Sequence, residues 1–387
     1  MNSIKIENIN LTEDKLRLEF DLKIDSAVHP LYFQSNNVPL KVSNEAFIAI
    51  AIIPAMSTRS NILLDGEIDS RFSKALPTIQ TIFQQWYPHQ QFQKFELSNP
   101  IIESRDIETK RNRVGSCFSA GVDSFYTFLK NKEEIDDLVF LNGFERSLDD
   151  QVVSEQTSKI IHKIGANFDK NVIEMKSNVR RFLSKFVYSG IHHGAMLAAV
   201  GHLLSGSLSK LLIPSSVTYQ YLGAWGSHPI LDPLWSSNSL EIANDGTDAG
   251  RIQKLKFVSE SDYALNNMRV CSQNKGTWLN CGECEKCIRT MTGLLGINKL
   301  DKCTTFSKKL SVEGLKNTKF KPTIFSYYNE ILPELEKNES NYEFCYVISK
   351  KIHKPNFPQI FKDVLKNYLR RYKYRFPGLY KKLRTSV

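Results

Sequence analysis

Four cysteines crowd into seventeen residues: Cys271, then Cys281, Cys284 and Cys287 in the run Asn280-Cys-Gly-Glu-Cys-Glu-Lys-Cys287. The spacing Cys-x9-Cys-x2-Cys-x2-Cys lets four thiolates converge on one tetrahedral ion. That constrains the fold strongly, because a metal clip can pin a loop that no hydrophobic core reaches. Zinc is the default ion for such a donor set. An iron–sulfur cluster is the competing reading, since Cys-x2-Cys-x2-Cys also serves there. The other three cysteines, Cys117, Cys303 and Cys345, are scattered. No disulfide framework is visible, which suits a reducing compartment.

Upstream, the hexapeptide Ser119, Ala120, Gly121, Val122, Asp123, Ser124 lies between a short apolar strand, Val114 to Phe118, and an aromatic helix. At a strand-to-helix junction the first amides of the helix have no carbonyl partner, and the helix dipole adds positive charge, so phosphate binds there readily. Gly121 allows close approach of backbone to an anion, and the serines add hydroxyl donors. There is no Gly-Lys-Ser/Thr, so this is not the P-loop. A strand-to-helix turn capped by Asp and Ser is the plain structural alternative.

From Arg111 onward, strand patterns alternate with helical ones: 138–141, 152–164, 172–175, 192–204 and 211–213. Such alternation implies a mostly parallel sheet covered on both faces. Residues 218–250, rich in Gly, Pro, Trp and Asp, read as a long loop over the sheet edge. Residues 1–110 read as a separate accessory α/β domain, with a half-buried strand at 16–24 and a fully buried strand at 46–53. Residues 111–300 form the nucleotide-binding domain with the metal site, and 301–387 a helical region with a basic tail. Of the net +10 charge, nine Lys or Arg against Asp363 fall between Phe361 and Val387. With its interleaved aromatics the tail suits nucleic acid, an anionic membrane surface or an acidic partner. The start, Met1-Asn-Ser-Ile-Lys, shows no signal peptide, and the apolar run 46–56 is too short to span a bilayer, so a cytoplasmic protein is expected.

The hexapeptide resembles the PP-loop, Ser-Gly-Gly-x-Asp-Ser, of the ATP pyrophosphatase superfamily, with Ala120 in place of the first glycine. Together with the cysteine pattern, residues 111–295 look like a 7-cyano-7-deazaguanine synthase, a match that does not reach the N-terminal part or the tail. The resemblance implies a Rossmann-like HUP/PP-loop domain with a zinc site of four cysteines. It implies a ligase that splits ATP between the α- and β-phosphates, adenylates a carboxylate and passes it to ammonia or an amine supplied from outside. Under it, residues 119–124 hold pyrophosphate, Asp123 helps fix Mg²⁺, and Cys271, Cys281, Cys284 and Cys287 hold structural Zn²⁺. The acceptor could be a small molecule or a protein terminus, and homo-oligomerisation is compatible with everything read here.

Arg251 and Lys254, spaced i, i+3, form a candidate grip for pyrophosphate or a substrate carboxylate, against the alternative of a solvated helix face. His228, beside Asp232 and Trp235, is a candidate general base. Two other functions fit the same motifs. One is sulfur transfer to tRNA with Cys117 beside the turn. The other is a non-catalytic nucleotide-binding protein with a degenerate loop.

Overall fold

The computed structural model describes residues 3–98, 100–103, 113–144, 151–271, 273 and 279–353. Strands β1 (Ser3–Leu11), β2 (Arg17–Ile24) and β3 (Ala27–Ser35) form an antiparallel meander. Period two decides it: in β2, Leu18, Phe20, Leu22 and Ile24 are buried while the residues between them are half-buried. The meander does not close a domain of its own. Phe33, Gln34 and Ser35 pair antiparallel with Ser177, Lys176 and Met175 of β10 (Asn171–Ser177).

The result is one ten-stranded sheet. Its second half is parallel and adds β8 (Val114–Cys117), β9 (Asp137–Asn142), β11 (Lys210–Pro214) and β12 (Glu241–Asp245) in the order β12-β11-β8-β9-β10. Numbered along the chain this is a 5-4-1-2-3 arrangement, doubly wound, with the order reversing between β8 and β11. Beyond β1 lie β4 (Asn61–Leu63) and β6 (Leu97–Ser98), while β5 (Glu67–Asp69) and β7 (Ile101–Glu103) pair separately. The expectation of a separate domain over 1–110 is therefore corrected. The described part of that stretch shares its sheet and its core with the parallel strands.

Two compact units divide the described chain. The first comprises the described residues of Met1–Ser119, Asn131–Ser215 and Leu222–Asp245; the second, those of Ala120–Lys130, Ser216–Tyr221 and Gly246–Val387. The first holds the sheets with α1 (Asn44–Thr58), α2 (Ser70–Trp86), α4 (Gln151–Asn167), α5 (Val179–Leu183) and α6 (Ser189–Leu203). The second is helical: α3 (Val122–Lys130), α7 (Arg251–Val258), α8 (Asp262–Leu265), α9 (Glu285–Gly296), α10 (Val312–Asn317), α11 (Phe325–Leu335) and α12 (Tyr342–His353).

Two local expectations fail for identifiable reasons. Residues 46–53, read as a strand, belong to α1, which is buried continuously from Glu45 to Met56. A helix buried all round shows no 3.6-residue stripe, so the run is equally apolar in either state. What decides it is the cap, for the Ser43 hydroxyl accepts the Ala46 amide at 3.2 Å. Residues 218–250 are not wholly loop, since they contain β12, the outermost parallel strand. The basic tail lies outside the described residues. Among those described, no helix is long and apolar enough to cross a membrane.

If the N-terminal strands belong to the sheet, a chain beginning at Arg113 loses β3 from the edge of β10, and α6 loses its partner α1. Such a chain is expected to aggregate and to show no cooperative denaturant transition, because a bare apolar edge recruits other strands. A soluble fragment with a sharp transition, measured by circular dichroism in urea, would restore the two-domain reading.

Candidate functional site

The phosphate-type turn follows β8 directly. The Phe118 amide still bonds the Val139 carbonyl at 2.8 Å, and α3 begins at Val122, the Phe125 amide closing its first turn on Gly121 at 2.9 Å. Between them Ala120 sits at φ 58, in the left-handed region. This is the position where the PP-loop pattern has glycine, and alanine there carries a strain on the order of 1 kcal/mol. The strain is held by a tie: the Arg269 amide donates to the Ala120 carbonyl at 2.7 Å. Val122 and Ser124 are buried, and the first amides of a helix such as α3 lack intrahelical carbonyl partners.

Asp123 faces α7. Arg251 donates to both its carboxylate oxygens, at 3.1 and 3.2 Å, and the Lys254 Nζ lies 3.5 Å from Oδ1. Neither cation is on a solvated face, since Arg251 is 8% and Lys254 2% exposed. Burial alone would raise the Asp123 pKa. Arg251, and after it Lys254 and Arg289, outweigh burial and hold the carboxyl below its usual range. Burial lowers the Lys254 pKa, opposed by Asp123. The Asp123 oxygens are thus engaged by two cations, Arg251 and Lys254.

Arg289 and Tyr327 join the same cluster and were not singled out from the sequence. The Arg289 guanidinium lies 4.2 Å from the Tyr327 ring centre, and that of Arg251 5.8 Å from it. The only sequence signal was the position of Arg289, two residues after Cys287.

Cys271, Cys281, Cys284 and Cys287 are all buried, with their sulfurs within 4.8 Å of one another. Three of the separations are 3.4, 3.9 and 3.9 Å. Four sulfurs around one zinc at a Zn–S distance near 2.3 Å stand about 3.8 Å apart, so the donor set fits the ion. Backbone amides aim at the sulfurs as they do at thiolates: Gln273 to Cys271 at 3.3 Å, and Glu283 and Cys284 to Cys281 at 3.5 and 3.3 Å. Gly282, at φ +71, makes this tight knuckle possible. The packed thiols oppose one another's ionisation. Cys271 and Cys284 push the Cys287 thiol far up, and burial raises that of Cys281, so a dication is what makes four thiolates tolerable at this spacing.

Asn280, fully buried, ties the two arms of the clip. Its Oδ1 accepts the Val270 and Cys271 amides at 2.7 and 3.0 Å, and its Nδ2 donates to the Met268 carbonyl and Thr305 Oγ1, both at 2.9 Å. The next residue back along that arm is Arg269, whose amide holds Ala120. The cysteine clip and the turn are thus linked through three consecutive residues, 269–271.

The remaining sequence candidates belong to the first unit and have other duties. His228 is buried; its Nδ1 accepts the Ile230 amide at 3.1 Å and its ring packs on Trp86 at 4.7 Å. Burial lowers its pKa. These contacts give His228 a packing duty. Trp235 is a core residue against Phe72, not a pocket wall. Cys117 is buried, its thiol pushed up to about 12 by burial and then by Asp232, a poor start for a nucleophile. Asp232 is fully buried, with Oδ2 taking hydrogen bonds from Ser227 and Asn244, each at 2.8 Å, and Oδ1 without a partner among the described residues. Burial pushes its pKa up to about 6.

Two outcomes test this description. Elemental mass spectrometry should find one zinc per chain, and Cys284→Ala should abolish it and lower the melting temperature; a metal-free chain of full stability would contradict the clip. For Asp232, the folded state binds the proton more tightly than the unfolded state. Its stabilising effect is complete below about pH 4 and lost as pH rises through about 6, a fall of roughly 3 kcal/mol. Asp232→Asn should remove that fall from the stability-against-pH curve, and an unchanged curve would contradict the assignment.

Compared with family models, curated proteins and solved structures, the chain matches none.

Proposed function

We propose that this protein is an ATP-dependent ligase of the PP-loop type, similar in chemistry to 7-cyano-7-deazaguanine synthase. A carboxylate oxygen of the acceptor attacks the α-phosphorus of ATP. The bond to the β-phosphate oxygen breaks, pyrophosphate leaves, and an acyl adenylate forms. Ammonia or an amine then attacks the acyl carbon, loses a proton to solvent and expels AMP.

One observation carries this reading. The turn after the central strand β8 adopts the left-handed conformation at Ala120 and delivers into α3 an aspartate that gathers two buried cations, Arg251 and Lys254. A plain capped turn needs no such cluster, for burying cations costs several kcal/mol each unless they are paired.

In this scheme the amides of residues 120–124 receive the oxygens of the departing diphosphate, with the dipole of α3 behind them. Arg251 and Lys254 stabilise the charge that builds on the bridging oxygen as the bond breaks. Asp123 keeps both cations oriented before substrate arrives. Mg²⁺, when bound, neutralises phosphate charge. The zinc clip is structural and holds the segment that ties down Ala120.

The test is a carboxylate-dependent exchange of labelled pyrophosphate into ATP, run with zinc-loaded protein and a panel of carboxylic acids. AMP and pyrophosphate are the expected products of the full reaction with ammonia, and ADP as sole nucleotide product would overturn the chemistry. Asp123→Asn should lower kcat/KM about 100-fold while leaving the zinc in place. Exchange at the parent rate would remove Asp123 from the machinery.

A further inference from the structure

Helix α9 carries two things at once. Cys284 caps it, Cys287 lies in its first turn, and Arg289 follows on the next residue but one. Arg289 is only 6% exposed. Its Nε–H is buried and reaches no acceptor among the described residues: Glu285 Oε1 stands 3.3 Å away, but without hydrogen-bond geometry. The Nε of Arg251 is in the same condition. Both guanidinium groups rest near one ring, that of Tyr327, whose hydroxyl is itself held by the Ser216 carbonyl at 3.0 Å.

A buried guanidinium N–H that makes no well-formed hydrogen bond is costly, and an anion that supplies an oxygen removes the cost. The local charges point the same way. Arg251 and Lys254 both turn to one carboxylate, Asp123, and Arg289 is ion-paired with Glu285 at 3.3 Å, so an anion entering the cluster meets three cations at once. A planar fork stacked on a ring has few rotamers to lose when it closes on phosphate oxygens, and it engages them two at a time.

We propose that Arg289 is a phosphate-binding residue of the site, stacked on Tyr327 and aimed by the metal clip through α9, and that its ligand is the diphosphate released from ATP. The inference rests on the reading given under Proposed function and extends it. The four-cysteine site holds the helix that supplies the third cation, as well as the segment behind Ala120.

The experiment uses the zinc-loaded full chain and inorganic pyrophosphate with Mg²⁺ as the probe, titrated by calorimetry. Arg289→Gln should weaken binding about tenfold or more, the loss of a charged hydrogen-bonding partner. Arg289→Lys should restore only part of it, because an ammonium lacks the fork. Tyr327→Leu, which leaves every cation in place, should weaken binding to a lesser degree. Zinc content and melting temperature, measured on each variant, separate a lost contact from a lost fold. Removal of zinc by a chelator should weaken binding in the parent and add little in Arg289→Gln, since both changes then act on one group; equal further losses in the two would overturn the coupling to the metal. If Arg289→Gln binds pyrophosphate as tightly as the parent, the assignment of Arg289 falls while the ATP reading stands. If the parent itself binds no pyrophosphate, both fall together.

Discussion

Within the second unit everything turns on one carboxylate. Asp123 accepts hydrogen bonds from Arg251 and lies against Lys254, two cations that are almost wholly withdrawn from water. A buried cation without a partner destabilises a fold by about 3–5 kcal/mol, so α7 and α3 can pack as they do only because this residue stands at the first turn of α3. Replacing the trio with apolar residues would cost the fold little by the same reasoning. Charges kept in such a place are better explained by work on an anion than by stability.

The turn that precedes Asp123 is maintained against its own preference. Ala120 occupies a conformation natural to glycine, and its carbonyl is held by the Arg269 amide. That amide belongs to the arm of the cysteine clip that Asn280 fastens at Val270 and Cys271. A path of direct contacts thus runs from four sulfurs, through one buried asparagine and three residues of backbone, to the turn. A metal held by the four cysteines would act mechanically on that turn, which is why a clip is useful at this point in the chain. No hydrophobic cluster is needed to fix so short an irregular segment once an ion does it.

How legible this was in the sequence depended on the kind of signal. The cysteines announced themselves by spacing, and the parallel half of the sheet by the alternation of strand and helix patterns from residue 114 on. Arg251 and Lys254 were marked by i, i+3 spacing, yet nothing local said that they would be buried against Asp123, 128 positions before Arg251. Helix α1 was misread because complete burial erases its periodicity, leaving only the Ser43 cap as a clue. The joining of β3 to β10 left no trace in either strand, since sheet neighbours are chosen by long-range pairing. His228 and Trp235 looked functional through their company in a Gly- and Pro-rich stretch, but that company proved to be core packing. Asn280 and Arg289 were hidden by their neighbours, the cysteines, which drew all the chemical meaning of the segment.

The central claim is that the backbone of residues 120–124 grips the diphosphate of a nucleoside triphosphate. Amide chemical shifts report on it most directly: ¹⁵N-labelled, zinc-loaded protein, titrated with the non-hydrolysable α,β-methylene analogue of ATP and Mg²⁺. The account requires large, saturable shifts of the Ala120, Gly121, Val122, Asp123 and Ser124 amides, as expected for N–H groups that gain a phosphate oxygen. Saturation of the analogue elsewhere on the protein, with those five resonances unmoved, would contradict it.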